Sequence, residues 1–137
     1  MFNGVNLNML GERDPALYGG LSYDELETRI YAWARRLEIS ARCFQTNHEG
    51  QLVDWIHDAR SWADGVIVNP GAWTHYSFAI RDALELIVVP VVEVHLSDVS
   101  TREEWRRRSV IEDVVSHRVM GKGPEGYREG LAWLASQ

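Results

Sequence analysis

The chain has 137 residues, 45% of them hydrophobic and 25% charged, and its formal net charge is −6 at pH 7. These values are typical of a single globular domain over residues 1–137 and argue against general nucleic-acid binding. The lone cysteine, Cys43, excludes an internal disulfide and favours a reducing compartment such as the cytoplasm, and no run is long and apolar enough to predict a membrane partner.

A polar segment, residues 3–20, opens the chain and contains four glycines and Pro15. Loops of this length are uncommon unless they serve as lids or binding loops. After it, Ser22 and Glu25 have the spacing of a capping box, which predicts a helix over 22–38. The apolar face of this helix consists of Leu26, Ile30, Trp33 and Leu37.

Strand and helix patterns alternate through the rest of the chain. Alternating or β-branched apolar runs predict strands at 39–43, 65–68, 88–96 and, more weakly, 114–120. Apolar spacing predicts helices around 52–59, over 77–87 and after Pro124, and a capping box predicts a short basic helix over 101–108. The alternation predicts an α/β fold, a flavodoxin-like three-layer sandwich with helices on both faces of a parallel sheet.

The first strand of such a fold is the exception, since it normally lies inside the sheet. Only Met1 and Phe2 precede the polar segment. The pattern therefore predicts a first strand that is truncated in this chain, with neighbouring strands that lack a pairing partner. Unpaired interior edges leave backbone groups without hydrogen bonds and favour association.

The stretch 69–82 directly follows the buried run 65–68 and is the first candidate for a functional site. Ligands of open α/β sheets bind at the carboxyl ends of the strands, where this turn is expected to lie. Asn69, His75 and Ser77 supply an amide, a titratable ring and a hydroxyl there. Such polar groups exceed what a simple connection needs.

Four blocks of sequence resemble the type II 3-dehydroquinate dehydratases in order and spacing. They are residues 3–19, 45–50, 69–77 with Arg81-Asp82, and 93–97 with 102–106. Members of this family remove water from 3-dehydroquinate to give 3-dehydroshikimate, in the shikimate or quinate pathway. The resemblance implies an enolate, anti elimination of the C1 hydroxyl, no metal or other cofactor, and a dodecamer of four trimers.

The resemblance also implies which residues carry the chemistry. Tyr18, as tyrosinate, takes the proton next to the ketone, and the cation of Arg13, five residues earlier, favours the phenolate. Asn6 holds the water that stabilises the enolate oxygen. His95 protonates the departing hydroxide, and Glu93, two residues earlier in the predicted strand, supports this acid.

Substrate binding is implied at further positions. The side chains of Asn69, His75 and Arg106 would hold the substrate hydroxyls. The backbone N–H groups of Leu96 and Ser97 would hold the substrate carboxylate, as amides at a turn or helix start readily bind anions.

Two more residues complete the implied site, and several positions depart from the family pattern, Val5 and Asp98 among them. Asp82 would reach the active site of a neighbouring subunit, and Arg102, one helical turn before Arg106, would support the lid and its tyrosine. Val5 stands where the family has proline. Asp98 replaces a usual asparagine beside the carboxylate site, where its charge is expected to weaken the binding of an anionic substrate.

Alternatives stay open on the sequence alone. One is a dehydratase of a modified substrate, aminodehydroquinate. Another is a catalytically silent paralogue that keeps the pocket as a small-anion binding or assembly module. A flavodoxin-like phosphate binder is disfavoured, because no glycine-rich phosphate loop follows a predicted strand.

Overall fold

Strands and helices alternate along the chain in the computed structural model, which describes residues 1–137. The strands are β1 (Phe2–Asn3), β2 (Phe44–Gln45), β3 (Val66–Asn69), β4 (Val91–His95) and β5 (His117–Met120). The helices are α1 (Pro15–Tyr18), α2 (Tyr23–Arg36), α3 (Glu49–Ala59), α4 (Phe78–Glu85) and α5 (Glu125–Ala135). The strands form one parallel sheet in the order β2-β1-β3-β4-β5.

Two hydrophobic cores join the sheet to the helices on its two faces. One core connects α2 and α5 to the sheet and includes Ile30 and Leu131. The other connects α3 and α4 to the opposite face and includes Ile56 and Leu84. Each such side chain contributes about 1.5–3 kcal/mol through its burial. The predicted flavodoxin-like α/β sandwich is confirmed.

The first strand is short but it lies inside the sheet. Phe2 is in register with Phe44 of β2 on one side and with Val68 of β3 on the other. Its ring is buried and packs 5.7 Å from the ring of Phe44 and 6.3 Å from that of Trp55. The expectation that the neighbouring strands lack a partner is therefore wrong, because two paired residues bridge β2 and β3.

Two predicted elements differ from the structure. Residues 39–43 form no strand, because β1, the neighbour of β2 in the sheet, pairs only at Phe44 and Gln45. The predicted helix over 101–108 is replaced by two short 3₁₀ helices, Val99–Thr101 and Glu104–Arg106. Arg102 separates them with an extended backbone (ψ −173°), which no helix can continue through.

The polar segment after β1 is more ordered than the predicted loop. A 3₁₀ helix, Leu7–Glu12, is anchored by the buried side chains of Leu7 and Leu10. Asp14 then caps α1 by accepting a hydrogen bond from the Ala16 N–H, and Gly19 ends α1 with a positive φ of 90°. These two caps fix Tyr18, the last residue of α1, above the carboxyl end of the sheet.

The carboxyl ends of β1 and β3 form the crevice where a fold of this strand order binds ligands. The loops that follow these strands pack tightly, since a Cβ atom on Gly4 would collide with the Pro70 carbonyl. Gly71 adopts φ +64°, a conformation that glycine tolerates best. No helix of the structure combines the length and apolarity that crossing a membrane requires.

Candidate active site

One cavity at the carboxyl ends of β1, β3 and β4 brings together nine of the predicted site residues. They are Asn6, Arg13, Tyr18, Asn69, His75, His95, Leu96, Ser97 and Arg106. Three segments far apart in sequence supply them. They are the capped polar segment, the turn after β3, and the stretch from β4 to the 3₁₀ helix Glu104–Arg106. The cavity therefore has the composition that the resemblance implies.

Tyr18 is held by two guanidinium groups that come from different parts of the chain. Arg13 Nη2 donates to the Tyr18 hydroxyl over 2.6 Å, and the Arg13 guanidinium lies 3.8 Å from the centre of the Tyr18 ring. Arg102 Nη1 donates to the same hydroxyl over 3.3 Å. This hydrogen bond raises the pKa of Arg102 above its ordinary value. Two permanent cations therefore lie against one phenol oxygen.

Asn6 occupies the left-handed backbone region, with φ 66°, which asparagine tolerates better than most residues. Its N–H donates to Asn47 Oδ1 over 2.8 Å. Asn47 is in turn tied to Asn8 and to Gln45 through side-chain amide hydrogen bonds of 3.1 and 3.2 Å. This amide cluster fixes the backbone at Asn6 and leaves its side chain on the cavity wall.

His95 and Glu93 lie on the same side of β4 and form a hydrogen-bonded pair. His95 Nε2 lies 2.7 Å from Glu93 Oε1, and the Glu93 side chain is fully buried. This is the one hydrogen bond that the His95 ring makes in the protein, so Nδ1 is left without a partner, and His95 lines the cavity. A neutral or charged imidazole therefore keeps its Nε2–H on the carboxylate and presents Nδ1 to a ligand.

The Glu93 carboxylate stays ionised although it is buried. Burial by itself raises its pKa, but the hydrogen bonds and charges of His95, Thr74 and Arg118 outweigh that effect and lower the pKa to about 2. Ser109 adds a further hydroxyl, 3.0 Å from Oε1. No local sequence signal points to Thr74, Ser109 or Arg118, because their contacts with Glu93 join segments that only the fold brings together.

His75 is held as a neutral imidazole. Its Nδ1 lies 2.7 Å from the Arg108 carbonyl oxygen, which accepts only from an Nδ1–H, so Nε2 carries the lone pair. Burial lowers the pKa of His75 below its ordinary value. The His75 ring stacks on His95 at 6.4 Å and meets the Trp105 ring edge-on at 5.3 Å. These contacts fix the ring plane at the cavity wall.

Asn69 ends β3 and is oriented from below by a buried hydrogen-bond chain. Its Oδ1 accepts from the Gly71 N–H, and its Nδ2 donates to the Tyr127 hydroxyl over 3.0 Å. That hydroxyl donates to Asn3 Oδ1, and burial raises the pKa of Tyr127, so it stays a neutral phenol. Tyr127 and Asn3 thus support the site from the core.

Leu96 and Ser97 present free backbone donors. Neither N–H donates a hydrogen bond within the protein, so both are available to an anion. Arg106, which lines the same cavity, lies with its Nε 3.2 Å from Glu103 Oε2. Arg102 shares this Glu103 carboxylate at 3.3 Å, so the two arginines converge without the helix that the sequence predicts.

Three predicted residues and one predicted departure lie off the cavity wall. Glu93 and Arg102 lie behind His95 and Tyr18, respectively, and form hydrogen bonds with them. Asp82 is exposed on α4, away from the cavity lining. Asp98 is also outside the lining. Its carboxylate accepts hydrogen bonds from the N–H and the hydroxyl of Ser100 and caps the 3₁₀ helix Val99–Thr101. Ser77 has a similar structural role, since its hydroxyl caps α4.

Nowhere in the structure do three or more His, Cys, Asp or Glu side chains converge as ligands for a metal ion would.

A family model described as "Dehydroquinase class II" matches residues 1–135. This chain belongs to that family. Among curated relatives, the 3-dehydroquinate dehydratase of Bacillus pumilus is 47% identical over 137 residues, which cover 100% of this chain and 93% of that protein. The 3-dehydroquinate dehydratase of Thermotoga neapolitana is 51% identical over 132 residues, covering 96% of this chain and 90% of that protein.

Solved structures of class II dehydroquinases and their relatives have the same fold. The type II dehydroquinase of Propionibacterium acnes has a TM-score of 0.96 at 40% identity and covers 99% of this chain and 94% of its own. A 3-dehydroquinate dehydratase-like protein of Bifidobacterium longum has a TM-score of 0.74 at 30% identity, with 98% and 92% covered. The resemblance found in the four sequence blocks is confirmed.

Proposed function

We infer that this class II dehydroquinase is a 3-dehydroquinate dehydratase, a hydro-lyase that forms 3-dehydroshikimate. The observation that carries the inference is the cavity itself, where a tyrosine hydroxyl bound by two arginines faces a glutamate-paired histidine. The relatives bearing this activity in their names match nearly the whole chain. No observation favours aminodehydroquinate as substrate or a silent binding module.

Tyr18 is the proposed base. Its hydroxyl accepts hydrogen bonds from Arg13 and Arg102, and hydrogen bonds from charged donors stabilise an anion more than neutral ones do. The phenolate takes the proton next to the ketone and leaves an enolate. Arg13 belongs to the same capped segment as Tyr18, whereas Arg102 comes from the segment after β4. Both regions therefore contribute a cation to the proposed base.

Asn6 is proposed to hold a water molecule that stabilises the enolate oxygen. The left-handed backbone of Asn6 and its hydrogen bond to Asn47 hold the amide in place before the reaction. Preorganised donors of this kind lower a barrier because they need not reorient as charge develops.

His95 is the proposed acid for the departing C1 hydroxyl. As the carbon–oxygen bond breaks, the proton on Nδ1 passes to the leaving oxygen and water forms. The proton on Nε2 stays on the ring and remains hydrogen-bonded to Glu93. General acids of this kind contribute about 10²–10⁴-fold in rate.

The proposed substrate contacts separate hydroxyl and carboxylate recognition. The fixed tautomer of His75 offers a lone pair at Nε2 to a hydroxyl, and Asn69 and Arg106 add further polar contacts. The unpartnered N–H groups of Leu96 and Ser97 bind the carboxylate. Cofactor groups have no part in this scheme.

The proposal extends to assembly as a dodecamer of four trimers in which Asp82 approaches a neighbour's site. Asp82 is exposed and lies one helical turn after Phe78, a residue that is 60% exposed, and Tyr76 is 58% exposed. An apolar surface of this kind favours contact between subunits. Analytical ultracentrifugation of the wild type should give the twelve-subunit mass, and a monomer would contradict this part.

A cytoplasmic location, consistent with the lone Cys43, completes the proposal.

The activity is tested by mixing purified protein with 3-dehydroquinate and following the ultraviolet absorbance of the conjugated product. Turnover by the wild type that vanishes in Tyr18→Phe is the expected result. A folded wild type that binds 3-dehydroquinate without turning it over contradicts the proposal, and aminodehydroquinate is then the substrate to try.

A further inference from the structure

Glu93 collects more partners than support of His95 needs. Its carboxylate contacts the hydroxyls of Thr74 and Ser109, the His95 ring and the guanidinium of Arg118. The Arg118 Nε lies 2.7 Å from Oε2, while His95 Nε2 lies 2.7 Å from Oε1. The carboxylate thus lies between a cation on one oxygen and the proposed acid on the other.

The sheet register explains why Arg118 reaches this position. Glu93 of β4 and Arg118 of β5 are directly paired, so their side chains leave the sheet on the same face. The outer end of the guanidinium is held as well, since Nη1 donates to Glu112 Oε2 over 2.8 Å. Arg118 is partly buried, with 25% of its side chain exposed. Its position is therefore fixed from the inside and from the outside.

We propose that Arg118 is a positioning residue of the reaction, which keeps Glu93 ionised and turned toward His95 while His95 gives up its proton. The inference rests on the proposed role of His95 as the acid. Arginine keeps its charge at all working pH values. When His95 becomes neutral, Arg118 remains as the counter-charge of a buried carboxylate, which would otherwise be left unpaired at high cost. Transfer of the proton from His95 to the substrate oxygen is therefore favoured over its retention by the pair of Glu93 and His95, called the dyad below.

Other charged groups near the dyad do not supply this counter-charge. His75 stacks on His95, but burial lowers the pKa of His75 below its ordinary value, so its ring supplies no positive charge near neutral pH. Arg106 lines the cavity and forms its ion pair with Glu103. Glu112 faces the outer side of Arg118. Arg118 is the one arginine or lysine that forms an ion pair with Glu93.

The test compares Arg118→Gln, which removes the charge, with Arg118→Lys, which retains it, using 3-dehydroquinate as substrate. In Arg118→Gln, kcat should fall by about tenfold, less than the ~10²–10⁴-fold of a complete general acid. KM should stay within about twofold. The alkaline limb of the kcat profile should move to higher pH, because His95 releases its proton less readily. Arg118→Lys should keep the wild-type profile.

Matched controls separate this role from a structural one. Arg128→Gln removes an exposed arginine that pairs only with Glu125, and it should leave kcat and the profile unchanged. In a His95→Ala background, Arg118→Gln should cause no further loss of kcat. The inference is overturned if Arg118→Gln folds and its pH profile of kcat matches that of the wild type. It is also overturned if the pH profile of Arg118→Lys is displaced from that of the wild type. The second outcome is decisive even if Arg118→Gln does not fold. Absence of wild-type turnover overturns the proposed function instead.

Discussion

The proposed base and the proposed acid share one cavity but are held in opposite ways. Tyr18 lies on a short capped helix, and its hydroxyl is bound by Arg13 and Arg102, all three partly exposed. His95 lies at the end of β4, a strand paired on both sides, and Glu93 behind it is fully buried. Changes on the base side should therefore affect the chemistry alone, whereas changes on the acid side should affect chemistry and folding together.

Tyr18→Phe is the largest expected effect and tests the base side. The variant removes one hydroxyl from a partly exposed ring, so kcat should fall by at least about 10²–10⁴-fold. The free energy of unfolding should change by no more than about 0.5 kcal/mol. Steady-state assays and urea denaturation measure the two quantities. A large loss of stability would contradict the separation of the two regions.

Glu93→Gln tests the acid side. Removing the charge from a buried ion-paired carboxylate should cost about 3 kcal/mol in the free energy of unfolding, together with a loss of kcat. Urea denaturation measures the stability, and Glu125→Gln serves as control because Glu125 pairs only at the surface. If both variants are equally stable, Glu93 does not have the structural role that its four partners indicate.

The two arginines on Tyr18 should differ in their effects. A hydrogen bond to a charged group contributes about 1.5–3 kcal/mol, or roughly 10- to 150-fold in rate. Arg13→Met should lie at the upper end, because its contact with the hydroxyl is 2.6 Å, and Arg102→Met at the lower end, at 3.3 Å. Measurement of kcat for both variants checks this order, and the reverse order contradicts it.

The acid side should also set the stability of the protein at low pH. A carboxylate whose pKa falls on folding stabilises the folded state above its unfolded pKa, and loses that contribution as pH falls through its folded pKa. For Glu93 this window runs from the ordinary value of 4.5 down to about 2. Thermal unfolding followed across the window should show a shallower loss of stability in Glu93→Gln than in the wild type. Parallel curves would contradict the assignment.

The smallest expected effect is that of Asp98→Asn. Because the Asp98 carboxylate is engaged by Ser100 outside the cavity, KM for 3-dehydroquinate should change by no more than about twofold. Arg106→Met, which alters the cavity wall, should raise KM by about tenfold. A marked fall in KM for Asp98→Asn would restore the expectation that this charge opposes the substrate.

Elements with strong local patterns were predictable from the sequence. The capping box at Ser22, the buried face of Leu52, Ile56 and Ala59, and the helix after Pro124 all occur as expected. The failures share a physical cause. The two-residue β1 is defined by its pairing with β2 and β3, and the 3₁₀ turns around Arg102 depend on tertiary contacts, so neither has a periodicity of its own.

The residues that line the cavity were predictable because the family resemblance named them. The residues that support them from distant parts of the chain were not predictable. Nine of the named residues share one cavity. Arg118 was missed because β5 is weakly patterned and its pairing with Glu93 exists only through the register of the sheet. The contact of Tyr127 with Asn69 spans 58 residues and gives no local signal in the sequence.

The most direct test of the account asks whether base and acid act in separate steps. Each variant is incubated with 3-dehydroquinate in deuterated water, and proton NMR follows the loss of the hydrogen next to the ketone, with an enzyme-free sample as control. His95→Ala should still exchange this hydrogen, because Tyr18 can form the enolate, although no product appears. Tyr18→Phe should show only the enzyme-free rate. Exchange at the wild-type rate in Tyr18→Phe would contradict the assignment of Tyr18 as the base.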